Sequence, residues 1–155
     1  MVALFAARNA GIEVPDQAIS KGKKFLLECQ DGRGGFGYTG NSGANLPRTA
    51  IGALILALDK DTNSDAFKKS ISYLRENARF GDQGHKFYSL YYTAQAMFRS
   101  TPEDWNKWNL ENVRQLQAKQ SENGSWNGNY GNTFATSAAL LSMALNYRYL
   151  PIYER

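Results

Sequence analysis

The stretch "QSENGSW", residues 120–126, places a glutamine, a glycine and a tryptophan in a polar connection between two apolar segments. The stretch "QDGRGGFG", residues 30–37, has the same spacing, with a glycine four residues after the glutamine and an aromatic residue six after it. A motif that recurs within one chain predicts a repeated structural unit. The matching positions are Gln30, Gly34 and Phe36 in the first copy and Gln120, Gly124 and Trp126 in the second.

A leucine before the motif and a threonine after it recur in step. The leucines are spaced by 48 and 42 residues, and the threonines by 44 and 43. In the middle copy Ala78 stands where the glutamine belongs. Two independent landmarks therefore indicate one period of roughly 42–48 residues. The leucines are Leu26, Leu74 and Leu116, and the threonines are Thr49, Thr93 and Thr136.

Each segment before a motif loop predicts an amphipathic helix, since its apolar residues recur at intervals of three and four. We predict helix starts at Pro15, at the N-cap residue Ser64 and at the N-cap residue Asn109. Glu103 and Asp104, after Thr101-Pro102, also have the composition of a helix start. The predicted buried faces are Ile19, Phe25, Leu26 and Cys29; then Phe67, Ile71 and Leu74; then Leu110, Val113, Leu116 and Gln117.

A second helix is predicted after each motif loop, beginning at Pro47, Lys86 and Asn132. These segments are apolar nearly all round, which is typical of helices buried on most sides. The predicted unit is an αα-hairpin, which must stack on its neighbours to bury its apolar faces. We therefore expect one all-α domain, 1–155, of about three and a half hairpins that form a partial α/α toroid. Its units are approximately 1–13 (partial), 14–60, 61–101 and 102–155.

The motif itself predicts a staple between neighbouring hairpins. The glutamine side chain would turn onto backbone groups in the first turn of the next helix. The glycines permit a tight reversal, and the aromatic ring would cover the glutamine amide. This structural role is favoured over a catalytic one for Gln30, Phe36, Gln120 and Trp126.

These motifs resemble those of a known group of proteins. Gln120 to Trp126 matches the "QW" repeat of squalene and oxidosqualene cyclases, and "QDGRGGFG" is similar to the Gly-Gly-Phe variant of protein prenyltransferase β subunits. The ending "NYRYLPIYER" resembles prenyltransferase/squalene-oxidase repeat proteins. The resemblance implies an α/α toroid with outer first helices and inner second helices. A complete ring has about six hairpins, so we expect this chain to be a C-terminal fragment.

The catalytic groups of these families are not recognisable in the sequence. The cyclases use an Asp-x-Asp-Asp run, whereas Asp59, Asp61 and Asp65 have other spacings and fit a solvated loop. The prenyltransferases hold zinc with an Asp-x-Cys pair and a distant histidine, but Cys29 follows Glu28. Ser89 stands where that histidine would be, and His85 is expected to be a loop residue. With one cysteine and one histidine in the chain, we predict neither a metal site nor a cofactor.

The predicted function is therefore that of a segment of a terpene-cyclase or prenyltransferase-like protein that acts on or binds an isoprenoid. Tyr88 and Tyr92, on an inner helix with Phe87, Tyr91 and Phe98, are the candidate substrate-binding residues, because aromatic faces stabilise carbocations. The alternative is a non-catalytic scaffold for a protein or glycan partner. A toroidal polysaccharide lyase is disfavoured, since the inner helices are poor in charge.

The composition of the chain limits the kinds of partner that it is expected to bind. The net charge of +4 is scattered, which argues against nucleic acid, and no apolar run approaches the length of a transmembrane segment. The first residues lack the basic leader of a signal peptide, which favours the cytoplasm without deciding the compartment. Open sides of a partial ring would expose apolar surface, so self-association or pairing with the remainder of a parent chain is expected.

Overall fold

The computed structural model describes residues 1–78 and 85–147, and these residues form an all-α structure. Extended pairing among them is limited to a single bridge between Gln30 and Phe36. A short 3-10 helix follows the last α-helix. The helices are α1 (Val2–Asn9), α2 (Asp16–Glu28), α3 (Leu46–Leu58), α4 (Asp65–Asn77), α5 (Lys86–Phe98), α6 (Pro102–Lys119), α7 (Asn132–Ala144) and the 3-10 helix Leu145–Tyr147.

Side-chain caps set several of the helix starts. The Ser64 hydroxyl accepts a hydrogen bond from the Phe67 N–H at 3.2 Å, which confirms the predicted cap of α4. The predicted cap at Asn109 is wrong, since α6 begins seven residues earlier at Pro102. The Thr101 hydroxyl accepts from the Asp104 N–H at 3.2 Å there. A threonine cap, a proline and two acidic residues favour that earlier start, so Asn109 lies inside the helix.

The helices that follow the motif loops pack against one another. α3 packs most extensively against α5, and α5 against α7, while α1 contacts the other side of α3. α4 packs on α3 and α5, and α6 on α5 and α7. The fully buried side chains of α3 include Thr49, Ala53 and Leu56. The core therefore lies mainly around α3, α5 and α7.

The amphipathic helices bury most of the predicted residues but not all. Ile19, Cys29 and the three predicted residues of α4 are buried, as is Leu116. Phe25 is 54% exposed, Leu110 is 73% exposed and Gln117 is also exposed, so the predicted burial of these three residues is wrong. Leu110 is two residues from Trp108 and two from Asn112, about 160° around α6 from each, so it lies on the face opposite the buried stripe. In α6 that stripe is Trp105, Trp108, Asn112 and Leu116.

The glutamine side chains of the two motif loops make different hydrogen bonds: one reaches another helix and the other stays within its loop. Gln30 Nε2 donates to the carbonyl of Gly34 at 3.2 Å and to that of Ala66, in the first turn of α4, at 2.8 Å. Gln120 Nε2 donates to the carbonyl of Gly124 within its own loop at 2.8 Å. The loop after Ala78, the middle copy of the motif, falls on residues 79–84, outside the described part of the chain.

The threonines that recur with the motif accept hydrogen bonds from it. The backbone N–H of Phe36 donates to Thr49 Oγ1 at 3.0 Å, and that of Trp126 donates to Thr136 Oγ1 at 3.1 Å. A threonine near the start of α3 and another near the start of α7 thus hold the aromatic residue of the preceding loop. The sequence shows the recurrence of the threonine, and the structure supplies its physical reason.

Replacing Gln30 tests the contact between its loop and α4. Gln30→Ala is expected to lower the free energy of unfolding by about 1–2 kcal/mol, because it removes two hydrogen bonds, one of them to another helix. Gln120→Ala is the matched control, and we expect a loss of about 0.5 kcal/mol since its bond is local and exposed. Urea denaturation of both variants gives the comparison. Equal losses would show that the contact with Ala66 adds nothing.

Candidate functional site: a tyrosine-lined groove

Three tyrosines form a contiguous aromatic surface on α5. Tyr88 and Tyr92 are four residues apart, and helical spacing places them on one face. Their rings meet edge to face, with centroids 4.9 Å apart. Tyr91 adds a second edge-to-face contact with Tyr92 at 5.0 Å. Such pairs hold each ring in place, because the positive edge of one faces the negative face of the other.

This surface forms one wall of an open groove between α5 and α7, which we call the tyrosine groove. Its volume is about 260 Å³. The other wall comes from α7, a helix without charged residues. Among the described residues, those that line the groove carry no charge. Its lining residues are Tyr88, Tyr91, Tyr92, Phe134, Ser137, Ala138 and Leu141.

The structure brings the two candidate tyrosines together and adds residues that the sequence argument missed. Tyr88 is 37% exposed and Phe134 is 38% exposed, so both rings are accessible from solvent, while Ala138 is buried. The sequence did not single out Phe134 and Leu141 as site residues, because α7 is apolar on most sides. Its sequence pattern therefore does not indicate which face would meet α5.

Two other aromatic residues of α5 do not line the groove. Phe87 is buried in the core, where its ring lies against Gly128. Phe98 packs edge to face on Trp105 of α6, with centroids 5.2 Å apart. The expected set of cavity aromatics on α5 thus divides between groove and core. Aromatic residues of α5 that face α7 line the groove, whereas Phe98 faces α6 and packs against it.

A second aromatic contact lies at the N-terminal end of α5 and joins His85 to Tyr130. The hydroxyl of Tyr130 is hydrogen-bonded to Nδ1 of His85, and the two rings are stacked with centroids 5.8 Å apart. Tyr130 also contacts Phe134 edge to face at 5.5 Å. His85 directly precedes α5, so this pair joins the start of α5 to the loop before α7.

The acidic residues singled out in the sequence lie elsewhere. Asp59 and Asp61 both bind the ammonium group of Lys23, at 2.7 and 2.8 Å. These two hydrogen bonds raise the pKa of Lys23 above its ordinary value, and the bond to Asp59 has the larger effect. Across the described ranges, histidine, cysteine and carboxylate side chains do not gather in groups of three or more that could hold a metal. These carboxylates therefore serve to join α2 to the end of α3.

A larger cavity of about 350 Å³ lies beside α4, α5 and α6. Its floor includes Leu74, Met97 and Trp108, and its rim carries charges of both signs. Arg75 and Asp104 form an ion pair at 2.9 Å across it, from α4 to α6. The cavity is also lined by Ala78, the residue that follows α4. Its mixed charge suits a hydrocarbon ligand less well than the tyrosine groove does.

Comparison of the chain with family models, with curated proteins and with solved structures finds no match. None of the helices in the described ranges has the length and apolar character needed to cross a membrane. In the ending "NYRYLPIYER", residues 148–155 lie outside the described part of the chain. The indication of function therefore comes from the chemistry of the tyrosine groove.

Proposed function

We propose that this chain is a segment of a terpene-cyclase or prenyltransferase-like α/α toroid protein, and that its tyrosine groove binds an isoprenoid chain. The observation that carries the proposal is the edge-to-face pair of Tyr88 and Tyr92 in the wall of an open, uncharged groove. Ligand sites are typically apolar clefts with a few polar groups. Here the polar groups are the tyrosine hydroxyls and Ser137.

The order of helix contacts supports the toroid part of this proposal. α1, α3, α5 and α7 pack one against the next, and α4 and α6 pack on the helices of that series. An α/α toroid has the same alternation of inner and outer helices. In this arrangement α5 and α7 are neighbouring inner helices, and the tyrosine groove is the seam between them.

The size and lining of the groove define the ligand class. A volume of about 260 Å³ is just below the range of roughly 300–1,000 Å³ that is usual for drug-sized ligands. The groove would therefore hold a short branched hydrocarbon segment, with the rest of a longer isoprenoid extending beyond it. Burial of that segment against Tyr92 and Leu141 would supply the affinity. Aromatic faces would also favour a positively charged carbon in the same place.

The lining residues are suited to binding and orientation. The tyrosine hydroxyls are the titratable groups among them, and no described lining residue supplies a carboxylic acid or an imidazole. We therefore assign no proton-transfer step to the groove. If the protein is active as a cyclase or transferase, residues outside the groove supply the catalytic acid or the metal ligands.

A non-catalytic scaffold is the second candidate, and a specific observation favours it. Leu140 of α7 is 52% exposed, and Phe134 of the same helix is 38% exposed. An apolar surface of this kind beside an open groove suits an apolar side chain of a protein partner as well as a lipid. The experiment below separates the two candidates by the ligand that the groove accepts.

Removal of the tyrosine rings is expected to weaken isoprenoid binding. Each of Tyr88→Ala and Tyr92→Ala should reduce the affinity for farnesol about tenfold, since the apolar contact of one ring contributes roughly 1.4 kcal/mol. Tyr38→Ala is the matched control, because Tyr38 is 77% exposed and lies outside the groove. Titration with farnesol, followed by the backbone amide signals of α5 and α7 in NMR spectra, measures the affinity.

Two outcomes of this titration would overturn the proposal. The first is an absence of farnesol-dependent shifts in α5 and α7. The second is binding that the two groove variants and the Tyr38→Ala control leave equally strong. A parallel titration with a short leucine-rich peptide tests the scaffold. Peptide binding that depends on Tyr88 and Tyr92, without farnesol binding, would assign the groove to a protein partner.

A further inference from the structure

Two asparagine-glycine pairs lie in the loop between α6 and α7. They are Asn123-Gly124, within the second copy of the motif, and Asn127-Gly128, directly after Trp126. An asparagine followed by glycine is prone to lose its side-chain amide, because glycine has no side chain to keep its backbone nitrogen away from the asparagine side chain. Both asparagines are exposed to solvent, so exposure does not distinguish the two pairs.

Hydrogen bonds restrain the first pair. Asn123 Oδ1 accepts from the backbone N–H of Ser125 at 3.1 Å and from the hydroxyl of the same residue at 2.7 Å. The backbone N–H of Gly124 donates to the carbonyl of Ser121 at 2.8 Å. The nitrogen that would attack and the side-chain carbonyl that it would attack are thus both engaged. These bonds must break before Asn123 can react.

The second pair lacks these restraints. The side-chain nitrogen of Asn127 donates to Ser121 Oγ at 3.3 Å, which is a longer bond than those of Asn123. Among the described residues, the backbone N–H of Gly128 donates no hydrogen bond and Asn127 Oδ1 accepts none. The side chain of Asn127 can therefore turn toward the nitrogen of Gly128 at the cost of one weak bond.

We infer that Asn127 is a site of spontaneous deamidation in the folded protein. The backbone nitrogen of Gly128 forms a bond to Asn127 Cγ and gives up its proton, while the bond between Cγ and Nδ2 breaks and ammonia leaves. The product is a five-membered succinimide ring. Solvent water then opens the ring at either of its two carbonyls and yields aspartate or isoaspartate. Each product adds one negative charge to the loop.

Isoaspartate would disturb the packing on both sides of this site, because it makes the backbone one atom longer. Trp126 is 3% exposed, and its backbone N–H is bonded to Thr136 Oγ1 at 3.1 Å. Gly128 lies close to α5 and α7, since an added Cβ there would be 2.9 Å from Phe87 and from Ala135. The extra atom must displace one of these two well-packed neighbours. We therefore expect the isoaspartate form to have a melting temperature about 2–4 °C lower.

Incubation of the protein at mildly alkaline pH tests the inference. Mass spectrometry of its peptides is expected to show a gain of about one dalton at Asn127 that proceeds about tenfold faster than the gain at Asn123, because only Asn123 must first break several hydrogen bonds. Asn127→Gln should remove most of the gain, while Asn123→Gln, the matched control, should leave it unchanged. Thermal unfolding of the chromatographically separated isoaspartate form measures the effect on packing.

The same incubation in urea provides a second control. The restraints on Asn123 are absent from the unfolded chain, so both pairs should react there at similar rates. Deamidation of Asn123 as fast as that of Asn127 in the folded protein would overturn the inference. So would a folded protein that stays intact during the time in which the unfolded chain is converted. An isoaspartate form with an unchanged melting temperature would contradict the expected disturbance of packing.

Discussion

Trp126→Ala is expected to lower the free energy of unfolding by about 3–5 kcal/mol, the largest effect that we predict for a single side chain here. Trp126 is 3% exposed and belongs to the main core cluster. Its indole N–H donates to the carbonyl of Leu116 at 2.8 Å, near the end of α6. Truncation would leave a cavity and an unpaired carbonyl in the same place. Chemical denaturation monitored by circular dichroism measures the loss.

A second substitution separates packing from hydrogen bonding. Trp126→Phe keeps an aromatic ring but removes the N–H, so we expect a smaller loss of about 1–3 kcal/mol. Phe36 shows that phenylalanine is accommodated at the matching motif position, where it is 1% exposed. If Trp126→Ala cost less than 1 kcal/mol, the side chain would not support the core as the structure indicates.

Gly34→Ala is expected to cost about 3 kcal/mol or more, for two reasons that add. Gly34 has a φ of +93°, a conformation that costs a side chain roughly 1–2 kcal/mol. An added Cβ would also lie 2.4 Å from the backbone carbonyl carbon and oxygen of Lys69 in α4. Backbone atoms of a helix cannot yield as a flexible side chain can, so the loop would have to move. Thermal and urea unfolding give the size of the effect.

Gly124→Ala is the matched control for this prediction. Gly124 is the equivalent motif position and has a similar φ of +81°, but the nearest atom to an added Cβ is Gln120 Nε2, at 3.9 Å. We expect a loss of about 1–2 kcal/mol, from the backbone conformation alone. The difference between the two variants isolates the close approach of the first loop to α4. If the two losses matched, that approach would not constrain the loop.

Much of the helical structure could be predicted from local signals. Ser64 as a cap and the alternation of amphipathic and apolar segments both depend on residues close in sequence, and the structure agrees with them. The recurrence of the threonine was visible too, although its bond to the loop was not. Asn109 shows the limit of local signals, because two possible starts competed and the stronger one, at Thr101, lies eight residues upstream.

The candidate site depended on contacts between distant segments. Helical spacing alone places Tyr88 and Tyr92 on one face of α5. Phe134 and Leu141 line the groove with them because of the way in which α7 packs on α5. The sequence of α7 does not indicate that orientation, since the helix is apolar on most sides. The exposure of Phe25 has the same origin, since α2 could bury either of two adjacent stripes. Local sequence therefore sets the helices, their caps and their period. Which faces meet is selected by packing, because burial is a property of neighbours far apart in the chain.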